Sequence, residues 1–266
     1  MAKNAPSFRK QLTRSRVALL TGTRGLRAVT MDRAHVYPDL RLIYNRIKKS
    51  GNSSISLYLN ELVSGGGDID AGAVSTMTRG DYRSELRNAR SAGKRLDELS
   101  LRELFAARHY YRFTVFRNPY ARCLSAFLDK VASAKRRYSH FPGAGQQDMA
   151  GFSDFVRFLE SGGLRANKHF WPQCHLLMAP PDQFDQIGQL ENLRDDLSRV
   201  CAEIGVSLPA SLDLSKPHAL ERRYQGKVQG ATRRLESFYD ESLYSRVATL
   251  YREDFAVGRY DPDWRP

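Results

Sequence analysis

Residues 110–131 read YYRFTVFRNPYARCLSAFLDKV, and the order of residue types in this stretch indicates the architecture of the chain. An apolar run ends at Arg117. Asn118 and Pro119 follow as a helix start, because Asn suits the N-cap and Pro the first helical position. An apolar stripe then recurs at helical spacing, formed by Tyr120, Leu124, Phe127, Leu128 and Val131. The stretch therefore predicts a buried strand that passes through a polar turn into an amphipathic helix.

A second unit of this kind, LIYNRIKKSGNSSISLYLNELV, occupies residues 42–63. Leu42–Ile47 is the predicted strand, and one buried helix face is formed by Ile55, Tyr58, Leu59 and Leu62. Between them lies the turn KKSGNSS, residues 48–54, in which Asn52 or Ser53 is the predicted helix cap. The N-terminus of a helix presents free N–H groups and a positive dipole end. Both turns are therefore candidates for binding phosphate-like anions.

The remaining pattern alternates strands with helices. Phe184–Gln189 is a third predicted strand, and the predicted helices cover 83–92, 100–108, 152–159, 190–204 and a last segment carrying Leu243, Val247, Leu250 and Tyr251. This alternation predicts an α/β fold, a single domain with a mainly parallel central sheet flanked by helices. We assign residues 1–40 to a basic N-terminal arm and 41–266 to the domain. Ligands of such sheets bind beyond the carboxyl ends of the strands, where both turns are expected.

Charge and cysteine content narrow the classes of partner. The 266 residues carry a formal net charge of +13, which favours polyanions such as nucleic acid, anionic lipid, acidic glycans or nucleotide phosphates. No nucleic-acid motif is present, so no specific nucleic acid is expected, whereas the basic arm could contact a membrane surface. Cys123, Cys174 and Cys201 form no CxxC pair, which argues against a disulfide framework or a zinc site. No apolar run is long enough to span a bilayer, and we expect a cytoplasmic protein.

Both turns resemble motifs of the sulfotransferases that use 3′-phosphoadenosine 5′-phosphosulfate (PAPS), in particular the carbohydrate sulfotransferase branch called sulfotransferase family 2. KKSGNSS resembles the family's 5′-phosphosulfate loop, with Lys48 in place of the usual proline and matches at Lys49, Gly51, Ser53 and Ser54. FRNPYARCLSAF resembles the 3′-phosphate motif R-x-P-x-x-R-x-x-S-A-[FY], with matches at Arg117, Pro119, Arg122, Ser125, Ala126 and Phe127. Segments 168–177, 187–197 and 251–264 resemble the family's later blocks, in the same order.

The resemblance implies a P-loop nucleotide-kinase-like sulfotransferase fold, PAPS as sulfuryl donor, and a hydroxyl of a saccharide or glycoconjugate as acceptor. It implies that Lys49 is catalytic and contacts the phosphosulfate. It further implies that the 5′ anion is bound by the rest of that turn, namely Ser50, Gly51, Asn52, Ser53 and Ser54. Arg117 and Ser125 would bind the 3′-phosphate. The resembling family needs no metal, and no cluster of metal ligands is visible in the sequence.

The general base is a separate question. His169 is the first candidate, because it lies in the matched block KHFWPQCHLL and histidine titrates near neutral pH. A carboxylate from residues 64–85, such as Asp81, is another candidate. Trp171 and Gln173 could line the acceptor cleft, and core packing of Trp171 is an equal alternative. His109 precedes the second strand, so it is expected at the far edge of the sheet.

Three other functions stay open from the sequence. A non-catalytic basic protein that binds anions or nucleic acid would explain the charge but not the RxPxxRxxSAF pattern. A nucleotide kinase is disfavoured, because no GxxxxGK[ST] is present and the lysine precedes the glycine. A sulfotransferase acting on a lipid or a small-molecule alcohol would use the same donor site.

Overall fold

The computed structural model describes residues 8–22, 34–64, 92–133, 136–207 and 230–266. One five-stranded sheet lies at the centre of this part of the chain, with strand order β3-β1-β2-β4-β5. Its strands are β1 (Ala34–Tyr37), β2 (Leu42–Asn45), β3 (Lys94–Arg95), β4 (Tyr111–Phe116) and β5 (Gln186–Gln189). The three strands predicted from the sequence are present as β2, β4 and β5. Their ends differ from the predicted ends by a few residues at most.

The sheet is mixed, so the expectation of a mainly parallel sheet is corrected. β2 pairs with β4 and β4 with β5 in parallel, whereas β1 runs antiparallel to both β2 and β3. The reason lies in the connection between β1 and β2, a single 3₁₀ turn (Pro38–Leu40) that ends at Arg41 with φ of 50°. A parallel crossover needs about a dozen residues or more. The short connection between β1 and β2 can therefore join only antiparallel neighbours.

Helices cover both faces of the sheet. They are α1 (Phe8–Thr21), α2 (Asn52–Val63), α3 (Leu101–Ala106), α4 (Pro119–Lys130), α5 (Met149–Glu160), α6 (Leu193–Glu203), α7 (Leu235–Phe238), α8 (Glu241–Leu250) and α9 (Arg252–Gly258). The predicted start of α4 is confirmed, since Asn118 Oδ1 accepts hydrogen bonds from the N–H groups of Tyr120 and Ala121. The predicted helix at 83–92 lies almost wholly outside the described residues.

Alternation along the strands produces two apolar layers, one on each face of the sheet. Val36 and Ile43 face the layer that includes α1 and α3, whereas Tyr44, Phe113 and Val115 face α2 and α6. A third cluster, rich in aromatic rings, joins α4 to α5, α7, α8 and α9. Because successive strand residues point to opposite faces, this arrangement buries both faces of the central strands.

Two segments of the predicted basic arm belong to the packed structure. α1 buries Val17 and Leu20, and β1 buries Val36, in the same apolar layer. Arg16 of α1 also donates a hydrogen bond of 2.8 Å to the carbonyl oxygen of Leu96. Among the described helices, none has the length and apolar character needed to cross a bilayer.

Candidate donor-binding site at the carboxyl edge of the sheet

The two predicted anion turns lie side by side. β2 and β4 are parallel neighbours, with Tyr44 opposite Phe113 and Asn45 opposite Thr114. The turn after β2 and the turn after β4 therefore leave the sheet at the same edge. This placement confirms the expectation that both turns lie beyond the carboxyl ends of adjacent strands, where α/β sheets bind their ligands.

The first turn is built by two residues with positive φ. Lys49 has φ of 71° and Gly51 has φ of 68°, and α2 begins directly after them. Gly51 is the N-cap of α2 and supplies no side-chain hydrogen bond, so the predicted capping by Asn52 or Ser53 is wrong. Asn52 instead accepts a hydrogen bond of 2.9 Å from the Tyr44 hydroxyl. The first N–H groups of α2 thus lie in the turn without a side-chain cap, as an anion site requires.

Gly51 is required for steric reasons as well. A Cβ atom on this residue would lie 2.7 Å from Leu190 Cδ1, and its positive φ disfavours any L side chain. Leu190 follows β5 directly. The end of β5 therefore supports the turn that follows β2. The glycine lets the turn lie directly against this leucine.

The side chain of Gln173 joins the two turns through hydrogen bonds. Its Oε1 accepts hydrogen bonds from Ser50 Oγ at 2.8 Å and from the Arg117 N–H at 2.9 Å, and its Nε2 donates to the Arg117 carbonyl oxygen at 2.9 Å. The side chain of Gln173 is 0% exposed. The prediction that Gln173 lines an acceptor cleft is therefore wrong, because its side-chain amide is buried and hydrogen-bonded to other residues of the protein. It holds Ser50 of the first turn against the backbone of the second.

Both arginines of the second motif also reach the first turn. The Arg117 guanidinium donates to the Lys49 carbonyl oxygen at 3.4 Å and to Thr232 Oγ1 at 3.2 Å. Arg122 Nε donates to the Lys48 carbonyl oxygen at 3.1 Å. Both guanidinium groups are buried, as is Ser125 on the same helix. The two motifs, 68 residues apart in the chain at Lys49 and Arg117, form one structural unit.

Lys49 lies in a local charge network with two residues at the end of α4. Its Nζ is 2.7 Å from Asp129 Oδ2, and Lys130 Nζ is 2.8 Å from the same oxygen. Burial alone would raise the pKa of Asp129, but the two lysines outweigh it and hold that pKa well below its usual range. Asp129 is thus ionised and fixes the side chain of Lys49 near the turn. An anion bound at this turn would meet a cation that is already positioned.

His169 lies close to this network. Burial, followed by the charges of Lys48, Lys130 and Lys49, lowers its pKa to about 2. Asn167 Oδ1 accepts from the His169 N–H at 3.0 Å and lies 2.7 Å from its Nδ1. Since an atom that accepts from a backbone N–H is the amide oxygen, Nδ1 must carry the proton. Nε2 of the neutral ring therefore holds the lone pair that can accept a proton.

Residues from the segments 187–197 and 251–264 make hydrogen bonds that support the two turns. Asp254 on α9 is fully buried and accepts hydrogen bonds from the Gln173 N–H at 2.7 Å and the Cys174 N–H at 2.9 Å. Burial raises the pKa of Asp254, and the charge of Arg122 opposes this shift. Near the second turn, Glu191 accepts from the Asn118 N–H at 3.0 Å and from the Tyr260 hydroxyl at 2.6 Å. These contacts fix the positions of Gln173 and of the start of α4.

The structure brings most of the predicted site residues together. Ser50, Gly51, Asn52, Ser53 and Ser54 form the first turn and the start of α2, and Lys49, Arg117 and His169 are connected to it as described above. Asp81 lies outside the described residues. Trp171 is half-buried and donates from Nε1 to the Arg165 carbonyl oxygen at 3.3 Å. The sequence did not point to Asp129, Thr232 or Asp254. Only their long-range contacts reveal them.

The profile of the sulfotransferase family matches residues 32–261. Because this match covers most of the chain, the chain belongs to the sulfotransferase family. The described α/β structure, a single sheet with helices on both faces, is consistent with this family. No solved structure is significantly similar to the chain.

Three curated relatives carry the name carbohydrate sulfotransferase 14. The human protein is 29% identical over 141 residues, which cover 48% of this chain and 36% of the human protein. The zebrafish (Danio rerio) protein is 30% identical over 113 residues, covering 37% of this chain and 31% of its own length. The mouse protein is 29% identical over 133 residues, with 45% and 34% covered. The matched part thus spans about a third of these relatives. The resemblance to carbohydrate sulfotransferases is confirmed.

Proposed function

We propose that this protein transfers a sulfuryl group from PAPS to a hydroxyl of a saccharide. The observation that carries the proposal is the junction at Gln173, which joins the two candidate anion-binding turns at the carboxyl edge of parallel strands. PAPS has two separated anionic groups, a 3′-phosphate and a 5′-phosphosulfate. A site with two cationic turns held at a fixed separation suits such a ligand better than one with a single phosphate loop.

We assign the 5′ anion to the first turn and the 3′-phosphate to the second. The first turn offers the N-terminus of α2, which has no side-chain cap, within the segment Ser50, Gly51, Asn52, Ser53 and Ser54. Arg117 and Ser125 belong to the second motif, and the planar guanidinium of Arg117 suits a phosphate. The first turn would then work in the manner of a phosphate-binding loop without having the Walker sequence.

Lys49 is assigned to the transition state. When PAPS is bound, it supplies a sulfuryl group whose departure leaves negative charge on the 5′-phosphate. Lys49, positioned by Asp129 at 2.7 Å, would neutralise that growing charge. A cation fixed before the reaction needs no reorganisation when the charge develops, so its effect belongs mainly to turnover.

His169 is assigned as the base that takes the proton of the acceptor hydroxyl at Nε2. A pKa of about 2 would make it a weak base, but after burial the causes of this shift are the three lysines around it. Anions bound by the first turn would offset these cationic charges and so raise the pKa of His169, while the effect of burial, the largest cause, would remain. His169 would thereby be a stronger base with the donor in place than without it.

A saccharide acceptor is supported by the names of the relatives and by the charge of the chain. All three relatives are named as carbohydrate sulfotransferases. The formal net charge of +13 favours an acidic polysaccharide among saccharides, because long-range attraction raises its local concentration. No step of the proposed reaction calls for a metal ion.

The experiment is a transfer assay with PAPS labelled in the sulfuryl group. Acidic polysaccharides, neutral oligosaccharides, a lipid alcohol and a small-molecule alcohol are offered as acceptors, with the Lys49→Ala variant as the blank. We expect label to appear in an acidic polysaccharide and to depend on Lys49. Transfer only to the lipid or the small alcohol would overturn the saccharide assignment. The absence of PAPS consumption with every acceptor, despite nucleotide binding, would overturn the assignment of catalysis.

A further inference from the structure

Three different metal-binding side chains converge on one point outside the donor site. Cys174 and His175 lie in the 3₁₀ turn Cys174–Leu176, and Glu253 lies in the first turn of α9. Cys174 Sγ is 3.2 Å from Glu253 Oε2, and His175 Nε2 is 3.2 Å from the same oxygen. All three donor atoms lie within 4.8 Å of one another. The third donor lies 78 residues beyond His175, which is why no spacing in the sequence reveals the set.

The distances suit a tetrahedral ion. Zinc bonds of about 2.3 Å to sulfur and about 2.0–2.1 Å to nitrogen or oxygen place neighbouring tetrahedral ligands roughly 3.3–3.6 Å apart. The two separations of 3.2 Å are close to these values. The third pair of donor atoms, Cys174 Sγ and His175 Nε2, lies within 4.8 Å. Glu253 is 65% exposed and His175 27%, so solvent can reach the point and can supply a fourth ligand.

The backbone that carries these donors is held rigidly. The Cys174 N–H donates to Asp254 Oδ1, and the His175 N–H donates to the Pro172 carbonyl oxygen at 3.2 Å. Asp254 follows Glu253 directly and is fully buried. The two ligand-bearing segments are therefore already joined through one carboxylate, which adds negative charge beside the thiol. A preorganised pair of segments of this kind loses little conformational freedom when it binds an ion.

We propose that Cys174, His175 and Glu253 form a binding site for a thiophilic divalent cation, with zinc as the chemical type. A sulfur, an imidazole nitrogen and a carboxylate oxygen are the donor classes that zinc prefers, whereas Ca²⁺ and Mg²⁺ require oxygen ligands. On binding, the Cys174 thiol loses its proton to solvent and the thiolate sulfur bonds to the ion. No electron is transferred.

The consequence of such a site is a second link between the 3₁₀ turn and α9. Gln173, which joins the two donor turns, immediately precedes Cys174. A bound ion would therefore restrain the residue that organises the donor site. We assign the ion a structural role, because its ligand Cys174 follows Gln173 directly and the three ligands include neither Lys49 nor His169.

Metal binding is tested with tag-free protein freed of metal by a chelator. Zinc is titrated in competition with a chromophoric chelator, and cobalt(II) is titrated separately, because a tetrahedral cobalt–thiolate centre has a characteristic absorption. We expect one equivalent of either ion, release of about one proton per ion, and a higher melting temperature with zinc. These readouts are independent of PAPS and of any acceptor.

Substitutions then locate the site. Cys174→Ser and Glu253→Gln should each weaken zinc binding by roughly a hundredfold, since even groups that only support a ligand contribute ten- to a hundredfold. Matched controls are Cys201→Ser, a second free thiol, and Glu241→Gln, an exposed glutamate on the adjacent helix α8. Binding equal in all variants, a cobalt spectrum without a thiolate band, or no binding by the unmodified protein would each overturn the proposal.

Discussion

Replacing Gln173 by methionine tests the junction between the two turns. Methionine has nearly the same volume as glutamine but neither donates nor accepts strong hydrogen bonds, so the change removes polarity without opening a large cavity. The Gln173 side chain makes three hydrogen bonds of 2.8–2.9 Å, to Ser50 Oγ and to the N–H and carbonyl of Arg117. All three partners would lose this contact in a buried environment.

The size of the effect follows from these three bonds. A buried polar group left without a partner costs about 1–3 kcal/mol, so the variant should lose about 3–5 kcal/mol in free energy of unfolding after some local relaxation. Ser50 and Arg117 would also lose their common restraint. We therefore expect the affinity for 3′-phosphoadenosine 5′-phosphate, the desulfated form of the donor, to fall at least about tenfold.

Urea denaturation gives the stability, and calorimetric titration of 3′-phosphoadenosine 5′-phosphate gives the affinity. Gln147→Met is the control, because Gln147 is exposed in the loop before α5 and should tolerate the same change. The reasoning is refuted if Gln173→Met unfolds within about 1 kcal/mol of the unmodified protein and binds the nucleotide equally well.

Four further substitutions test individual roles. Arg117→Ala should weaken 3′-phosphoadenosine 5′-phosphate by about ten- to a hundredfold and adenosine 5′-phosphate much less. Equal losses in calorimetry would show that Arg117 does not bind the 3′-phosphate. Lys49→Ala should lower turnover more than nucleotide affinity, whereas Lys130→Ala, which removes the other cation on Asp129, should change turnover less; similar turnover in both would contradict the assignment. His169→Gln should cut turnover on the order of a hundred- to ten-thousandfold, and a loss below about tenfold would move the base elsewhere. The pKa of His169 is about 2 in the folded protein, against an ordinary value of 6.5, so the unfolded chain binds the extra proton and stability falls as the pH drops below 6.5. Denaturation curves of His169→Gln should show a shallower fall, and an identical slope would contradict that pKa. Gly51→Ala should lose more stability than Gly205→Ala. Both glycines have φ near 70°, but only at Gly51 would the new Cβ meet another side chain, so equal losses would contradict the contact with Leu190.

The elements that the sequence predicted well are those with local signals. Asn118 and Pro119 mark the start of α4 because capping depends on neighbouring residues. The strands at 42–45 and 111–116 are apolar runs that end in polar turns, and they pair in parallel, as expected for strands joined by a long connection that contains a helix. Family membership, too, is carried by short motifs within these segments.

Features that depend on distant contacts could not be predicted. β1 lies in a basic segment, and β3 has only two residues, so neither has a clear apolar period. The role of Gln173 depends on contacts with residues 123 and 56 positions away, and no local pattern separates a buried bridging amide from one that lines a cleft. The proposed roles of Asp129 and Glu253 likewise depend on side chains that only the fold brings near them.

Calorimetry with 3′-phosphoadenosine 5′-phosphate and with ADP compares two nucleotides that differ mainly in where their phosphates lie. If two turns bind separated anions, the first nucleotide should bind one to one and roughly ten- to a hundredfold more tightly, the contribution of one charge-assisted phosphate contact. Equal affinity for both nucleotides, or no binding of either, would contradict the assignment of the two turns to the two ends of the donor.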